Sequence, residues 1–210
     1  MILNMTELSE HSIMNNNDVL IVCFGGYWHQ FGGILPFEFC RYLSSIYTNQ
    51  CDLLFYVDYH QCSYQKGIKG ITNSVNETVT YLNNKINKAN YNKVIFMGTS
   101  AGGYAAILFG SLCENIHNVV SFIPQTIVYS QNPHHANLKH IINNNTLYTL
   151  YGDTSITELS DAHHIRHCEN INNHANVTII KIHGCDLKQM RDNGTIKNIL
   201  DNIMTTGVVP

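Results

Sequence analysis

Six short apolar runs divide the chain: Val19–Phe24, Leu53–Val57, Val94–Met97, Val119–Ile123, Leu147–Tyr151 and Val177–Ile182. Each is four to six residues of nearly unbroken Val, Ile, Leu, Phe, Tyr or Met. That is too short to span a membrane and the right length for strands buried on both faces. Between the runs, apolar positions recur at helical spacing. Pro36 opens one such stretch, with Phe37, Cys40, Leu43 and Tyr47 on a common face. A second covers Ser74–Asn87, where Ser74 and Glu77 form a capping box. Others are Gly103–Phe109, Glu158–Cys168 and Gly194–Met204. Residues 125–145 form a long connection with Pro133, three histidines and a short helix. Strand and helix alternate throughout. The pattern predicts an α/β fold: a single three-layer domain around a mostly parallel, doubly wound sheet of about six strands. The domain covers residues 18–210, and residues 1–17 form a polar N-terminal arm with at most a helical turn.

In such sheets the functional groups gather beyond the carboxyl ends of the strands. The residues there are Gly25-Gly26, Asp58, Ser100, Gln125, Asp153 and His183. Ser100 stands in Gly98-Thr99-Ser100-Ala101-Gly102, a G-x-S-x-G turn between an apolar run and a small-residue helix. Strand, G-x-S-x-G and helix together build a nucleophile elbow. The turn is so tight that the flanking side chains must be absent, and the serine hydroxyl is pushed out of the sheet. The helix that begins at Ala101 turns its unpaired N–H groups toward the reacting atom. A serine, an aspartate and a histidine therefore follow the third, fifth and sixth predicted strands, in the order Ser, Asp, His.

These residues and their order resemble the α/β-hydrolase superfamily over nearly the whole chain after the arm. The resemblance implies a reduced α/β-hydrolase fold lacking that family's first two antiparallel strands, with residues 125–145 as the only candidate cover. It implies a serine hydrolase cleaving an acyl bond, above all a carboxylic ester, through an acyl-enzyme. Ser100 would be the nucleophile, His183 the general base and acid, and Asp153 the residue that fixes the imidazole. The oxyanion would be bound by the N–H of Ala101 and by the loop at Gly26-Tyr27. A narrower resemblance rests on Phe24-x-Gly26, Pro36-Phe37-Glu38-Phe39, Asp58-x-x-Gln61-x-x-Tyr64-x-x-Gly67 and Gly102-Gly103-Tyr104-Ala105-Ala106. It is to a group of small bacterial hydrolases found beside glycosyltransferase or repeat domains, which carries tryptophan where this chain has Ser63. It implies a pocket shaped by Asp58, Gln61 and Gln125 and names no substrate; the expected partner is a small-molecule or glycan-linked acyl substrate. Asp58 reads equally well as a structural carboxylate at a strand end. Trp28 reads equally as a pocket wall or as an aromatic anchoring its loop.

Composition narrows the partners. With 12 Lys and Arg against 15 Asp and Glu, the net charge is −3, and no basic cluster occurs. Nucleic acid is thereby excluded as the main partner, because phosphate binding leaves a cationic footprint. The 7 cysteines are odd in number, form no C-x-x-C pair and fall largely in apolar runs, as reduced thiols in a cytoplasmic protein do. There is no basic start followed by an apolar block, so no signal peptide is expected. His134, His135, His140, His163, His164 and His167 raise the question of metal. No H-E-x-x-H accompanies them, and the i, i+4 pair His163 and His167 reads as a solvated helix face. No nucleotide-binding glycine loop is present, and no cofactor is implied. The same triad also serves acyltransferases, thioesterases and peptidases. Two other classes stay open: a catalytically silent α/β-hydrolase fold used as a binding module, and a flavodoxin-like ligand-binding sheet.

Overall fold

A computed structural model describes residues 8–27, 37 and 39–208. All six apolar runs are strands of one sheet, joined by a seventh. In chain order the elements are β1 (Glu10–Ile13), β2 (Val19–Phe24), α1 (Cys40–Tyr47), β3 (Asp52–Tyr56), α2 (Val75–Asn87), β4 (Lys93–Thr99) and α3 (Ala101–Leu112). They continue with β5 (Asn118–Phe122), α4 (Pro133–Ala136), β6 (Leu147–Asp153), α5 (Arg166–Glu169), β7 (Val177–Ile182), α6 (Leu187–Asp192) and α7 (Thr195–Thr206). The sheet order is β1-β3-β2-β4-β5-β6-β7, and every pairing except β1 with β3 is parallel.

β1 lies in the stretch expected to be a polar arm with at most a helical turn, and it gives the mostly parallel sheet one antiparallel edge strand. Its residues Glu10–Ile13 pair with Leu53–Tyr56 at the sheet edge. An edge strand faces solvent along one side, so its sequence carries charge instead of an apolar run. Glu10 uses that charge to hold Lys85 (2.6 Å) and the Tyr81 hydroxyl (2.5 Å) of α2.

Strands buried on both faces still send alternate side chains to opposite sides. In β2, Leu20, Val22 and Phe24 join one core with α2 and α3, whereas Ile21 and Cys23 join the other with α1 and α7. α3 is buried along its length from Ala101 to Gly110, as a helix apolar all round must be. Small residues let it approach the sheet: a Cβ on Gly110 would lie 2.3 Å from a Val119 methyl. Ser74 caps α2 as expected, accepting from the Glu77 N–H at 3.1 Å, while Glu77 accepts from the Asn73 N–H.

From β2 the chain moves one way to β3, then returns across β2 to β4 and continues the other way. The strand order thus reverses between β2 and β4, and a crevice opens there beyond the carboxyl ends. The register sets Phe24 beside Gly98. Gly25-Gly26 and Ser100 therefore leave adjacent strands side by side.

Candidate active site

Ser100 has φ 55° and ψ −118°, a region that side-chain-bearing residues rarely enter. Its backbone is held there from three directions. The Ser100 N–H donates to Phe122 O (3.0 Å), and its carbonyl accepts from Tyr104 N (2.9 Å) and Gln125 N (3.3 Å). The flanking glycines are sterically required. A Cβ on Gly98 would sit 2.2 Å from Gly102 O, and one on Gly102 would sit 2.1 Å from Phe24 O. Gly26 lies across the crevice, its Cβ direction 3.9 Å from the Ser100 Cβ. Ala101 is the first residue of α3, so its N–H has no carbonyl one turn back to bind.

The imidazole at Ser100 belongs to His163, where the sequence pointed to His183. Ser100 Oγ lies 2.7 Å from His163 Nε2. His163 Nδ1 is 3.6 Å from Asp161 Oδ1, close enough for charge attraction and too long for a hydrogen bond. The same Asp161 oxygen accepts the His163 backbone N–H at 2.7 Å, which fixes the residue behind the ring. Both side chains are more than a third exposed.

The helix expected over Glu158–Cys168 is mostly absent; only Arg166–Glu169 is helical. His163 and His167 consequently do not share a solvated helix face. His163 sits on Ser100, while His167 is buried and accepts the Thr126 N–H at Nδ1 (3.2 Å). Burial, helped by the nearby Arg166 charge, lowers the His167 pKa to about 4. Among the described residues, no group of three or more His, Cys, Asp or Glu is placed to hold a metal ion.

Asp153 ends β6 as expected, but its carboxylate is taken up by Ser155 and by the backbone after β7. Oδ1 accepts from Ser155 N (2.7 Å), Ser155 Oγ (2.7 Å) and Gly184 N (3.0 Å), and Oδ2 accepts from Cys185 N (2.8 Å). Burial alone would raise its pKa; the bonds from Ser155, Cys185 and Gly184 outweigh that and take it down to about 2. His183 is exposed at the end of β7, directly before the two amides that grip Asp153.

Asp58 is 1% exposed, and Oδ2 accepts the N–H groups of Cys62 (2.8 Å) and Tyr64 (3.0 Å). Burial raises its pKa, and those amides oppose the rise. This is the geometry of a strand-end carboxylate capping its own loop. Gln61 Nε2 donates to Tyr27 O at 3.4 Å, and Gln125 touches Ser100 through its backbone. Trp28 lies outside the described residues. Tyr27, Gln61, Gln65, Tyr129, Asn132 and His135 contribute to the wall of a cavity of about 640 Å³ next to the crevice.

No family model and no curated protein sequence matches the chain. Solved structures do. An α/β hydrolase from the metagenome of lagoon sediments at Mar Chica, Morocco, superposes with a TM-score of 0.60 at 13% identity, covering 93% of both chains. Fluorophosphonate-binding serine hydrolase F of Staphylococcus aureus gives 0.58 at 12% identity, over 87% of this chain and 84% of that one. A thermophilic esterase of the planctomycete Thermogutta terrifontis gives 0.58 at 12% identity, over 93% and 85%. Elbow, strand order and these superpositions agree: the chain has the α/β-hydrolase fold.

Proposed function

We propose that this protein is a serine hydrolase that cleaves an acyl bond, a carboxylic ester of a small-molecule or glycan-linked substrate, through an acyl-enzyme on Ser100. One observation carries the reading: the hydroxyl of a strained elbow serine is 2.7 Å from an imidazole nitrogen. In this reading His163 Nε2 removes the Ser100 proton as Oγ attacks the acyl carbon, then returns it to the departing alkoxide. Asp161, beside Nδ1, stabilises the imidazolium that forms between these steps. The carbonyl oxygen becomes an oxyanion and takes hydrogen bonds from the N–H of Ala101 and from the Gly26-Tyr27 loop. A water molecule then repeats the sequence on the acyl-enzyme. An acceptor alcohol, thiol or amine in that place would make the same site a transferase. The seven cysteines are not joined in disulfides, which suits a reducing cytoplasm. Among the described residues, no helix is long and apolar enough to cross a membrane.

A second assignment of the base has its own support. Gly184 and Cys185 already bind Asp153, so a turn of the adjacent His183 would form the pair Asp153–His183. Fluorophosphonate labelling separates the readings. Labelling should occur on Ser100 and vanish in Ser100→Ala. His163→Ala should slow labelling by about 100-fold or more, and His183→Ala by less than about threefold. The reverse ranking would transfer the base role to His183. A well-folded protein that is not labelled at all would be a binding module.

A further inference from the structure

The loop after β3 contains three side-chain-bearing residues with left-handed backbone within four positions: Gln61 (φ 47°), Ser63 (φ 54°) and Tyr64 (φ 58°). Such conformations persist only where surrounding bonds impose them. Here the buried Asp58 carboxylate imposes them by accepting the amides of Cys62 and Tyr64. The result is that all three side chains reach one target, the segment Gly25–Tyr27. Tyr64, fully buried, shares its one hydroxyl proton between Gly25 O and Tyr56 O, each at 3.1 Å. Ser63 Oγ shares a hydrogen bond of 2.6 Å with the Tyr27 hydroxyl. Gln61 Nε2 reaches Tyr27 O at 3.4 Å.

The Gly25 carbonyl and the Gly26 N–H belong to one planar, trans peptide, so they point in opposite directions. Fixing the carbonyl fixes the N–H. Glycine at both positions imposes little conformational preference of its own, so the bonds around this peptide, among them Gly25 N–H to Tyr56 O (2.9 Å), set its orientation. We infer that Tyr64 is a positioning residue for the oxyanion hole: by binding Gly25 O from behind the loop, it aims the Gly26 N–H at the oxyanion beside Ser100. Ser63 reinforces it through Tyr27. Neither side chain touches substrate. This inference rests on the serine-hydrolase reading, because only a developing oxyanion gives the orientation of that peptide a consequence.

The test uses the full chain and Tyr64→Phe, which deletes one oxygen and keeps the ring. With p-nitrophenyl acetate, kcat should fall about 30-fold while KM stays within about twofold. The Ki of a trifluoromethyl ketone, whose adduct carries the oxyanion, should rise by the same factor as kcat/KM falls. A merely structural loss would not tie those two quantities together. Tyr148→Phe provides the comparison, since it removes another buried hydroxyl, bound to Ser111 Oγ at 2.8 Å on α3 far along the helix. It should leave kcat and Ki unchanged. If Tyr64→Phe does not fold, Ser63→Ala takes its place, with an expected fall in kcat of about fivefold and the same matched rise in Ki. Wild-type kcat and Ki in the variant tested, alongside a wild-type enzyme labelled at Ser100, would overturn this inference alone. Absence of labelling in the wild type would overturn the hydrolase reading and this inference with it.

Discussion

Ser100 sits at a backbone conformation that only glycine occupies without strain. Such strain costs of the order of 1–3 kcal/mol and is retained where function needs it. The cost makes a prediction opposite to ordinary experience. Glycine is usually about 0.5–1 kcal/mol less favourable than alanine in regular structure. At position 100, Ser100→Gly should be more stable than Ser100→Ala by about 1–3 kcal/mol, although both abolish labelling. Chemical denaturation of the two variants checks it, and Ala more stable than Gly would show that the elbow is not strained. The neighbouring glycines behave differently because space, not φ, is limiting. A Cβ at Gly98 would collide with the backbone of Gly102, which cannot move without displacing the start of α3. Gly98→Ala should therefore cost about 3 kcal/mol, the upper end of overpacking penalties. Gly70, at φ 77° with nothing within 4 Å of its Cβ direction, carries only the conformational penalty. Gly70→Ala should cost about 1–2 kcal/mol. Equal losses in urea unfolding of these two variants would refute the distinction.

At the scale of elements, the end of β6 is joined to the end of β7 by one carboxylate. Asp153 accepts two hydrogen bonds from Ser155 and two from the backbone of Gly184 and Cys185. Asp153→Asn would place an amide donor against these amides and lose charge-assisted bonds. A loss of about 2–3 kcal/mol is expected in denaturant unfolding, with Cys185 gaining reactivity toward thiol reagents as its loop loosens. A loss below about 0.5 kcal/mol would show that the clamp is incidental. The strands themselves were legible because burial on both faces leaves an uninterrupted apolar run, and the elbow was legible because its steric demands select glycine at two fixed positions. The base was not. Glu158–Cys168 carries helix-compatible spacing, yet polar side chains in and just before it bind backbone N–H groups two residues on: Ser155 N on Asp153, Ser160 N on Glu158, His163 N on Asp161, Arg166 N on His164 Nδ1. Such local bonds compete with helix formation. They convert an expected helix into a string of turns that carries His163 over Ser100, and no periodicity reports where a string of turns will go. β1 was missed for a related reason: an edge strand of sequence EHSI has no apolar signature to read.

For the molecule as a whole, two histidines that accept backbone N–H groups shape how stability responds to acid, one of them buried (His167) and one at the surface (His117). His167 Nδ1 accepts the N–H of Thr126, and His117 Nδ1 accepts the N–H of Val94 at 3.1 Å. A ring nitrogen that accepts a backbone N–H cannot also carry a proton, so the fold requires both rings neutral at that atom. Burial lowers the pKa of both, in His167 to about 4 from the ordinary 6.5. The sign follows directly. Between pH 6.5 and 4 the unfolded chain binds protons that the folded chain refuses, so stability is full above pH 6.5 and falls as pH drops toward 4. His167 alone should account for about 1.4 kcal/mol per pH unit, about 3 kcal/mol in all. Below pH 4 that slope gives way to Asp153, whose folded pKa of about 2 lies under its ordinary 3.8; its contribution is present above pH 3.8 and is lost as pH falls through 2. Urea midpoints measured from pH 8 to pH 3 should therefore be flat above pH 6.5 and decline steadily beneath it. His167→Gln should remove most of the decline between pH 6.5 and 4 and leave the part below pH 4 intact. A variant curve parallel to the wild type through pH 5 would show that the ring takes up a proton without cost. The bond from Thr126 would then not be holding the turn-rich crossover that carries His163 against the segment beside Ser100.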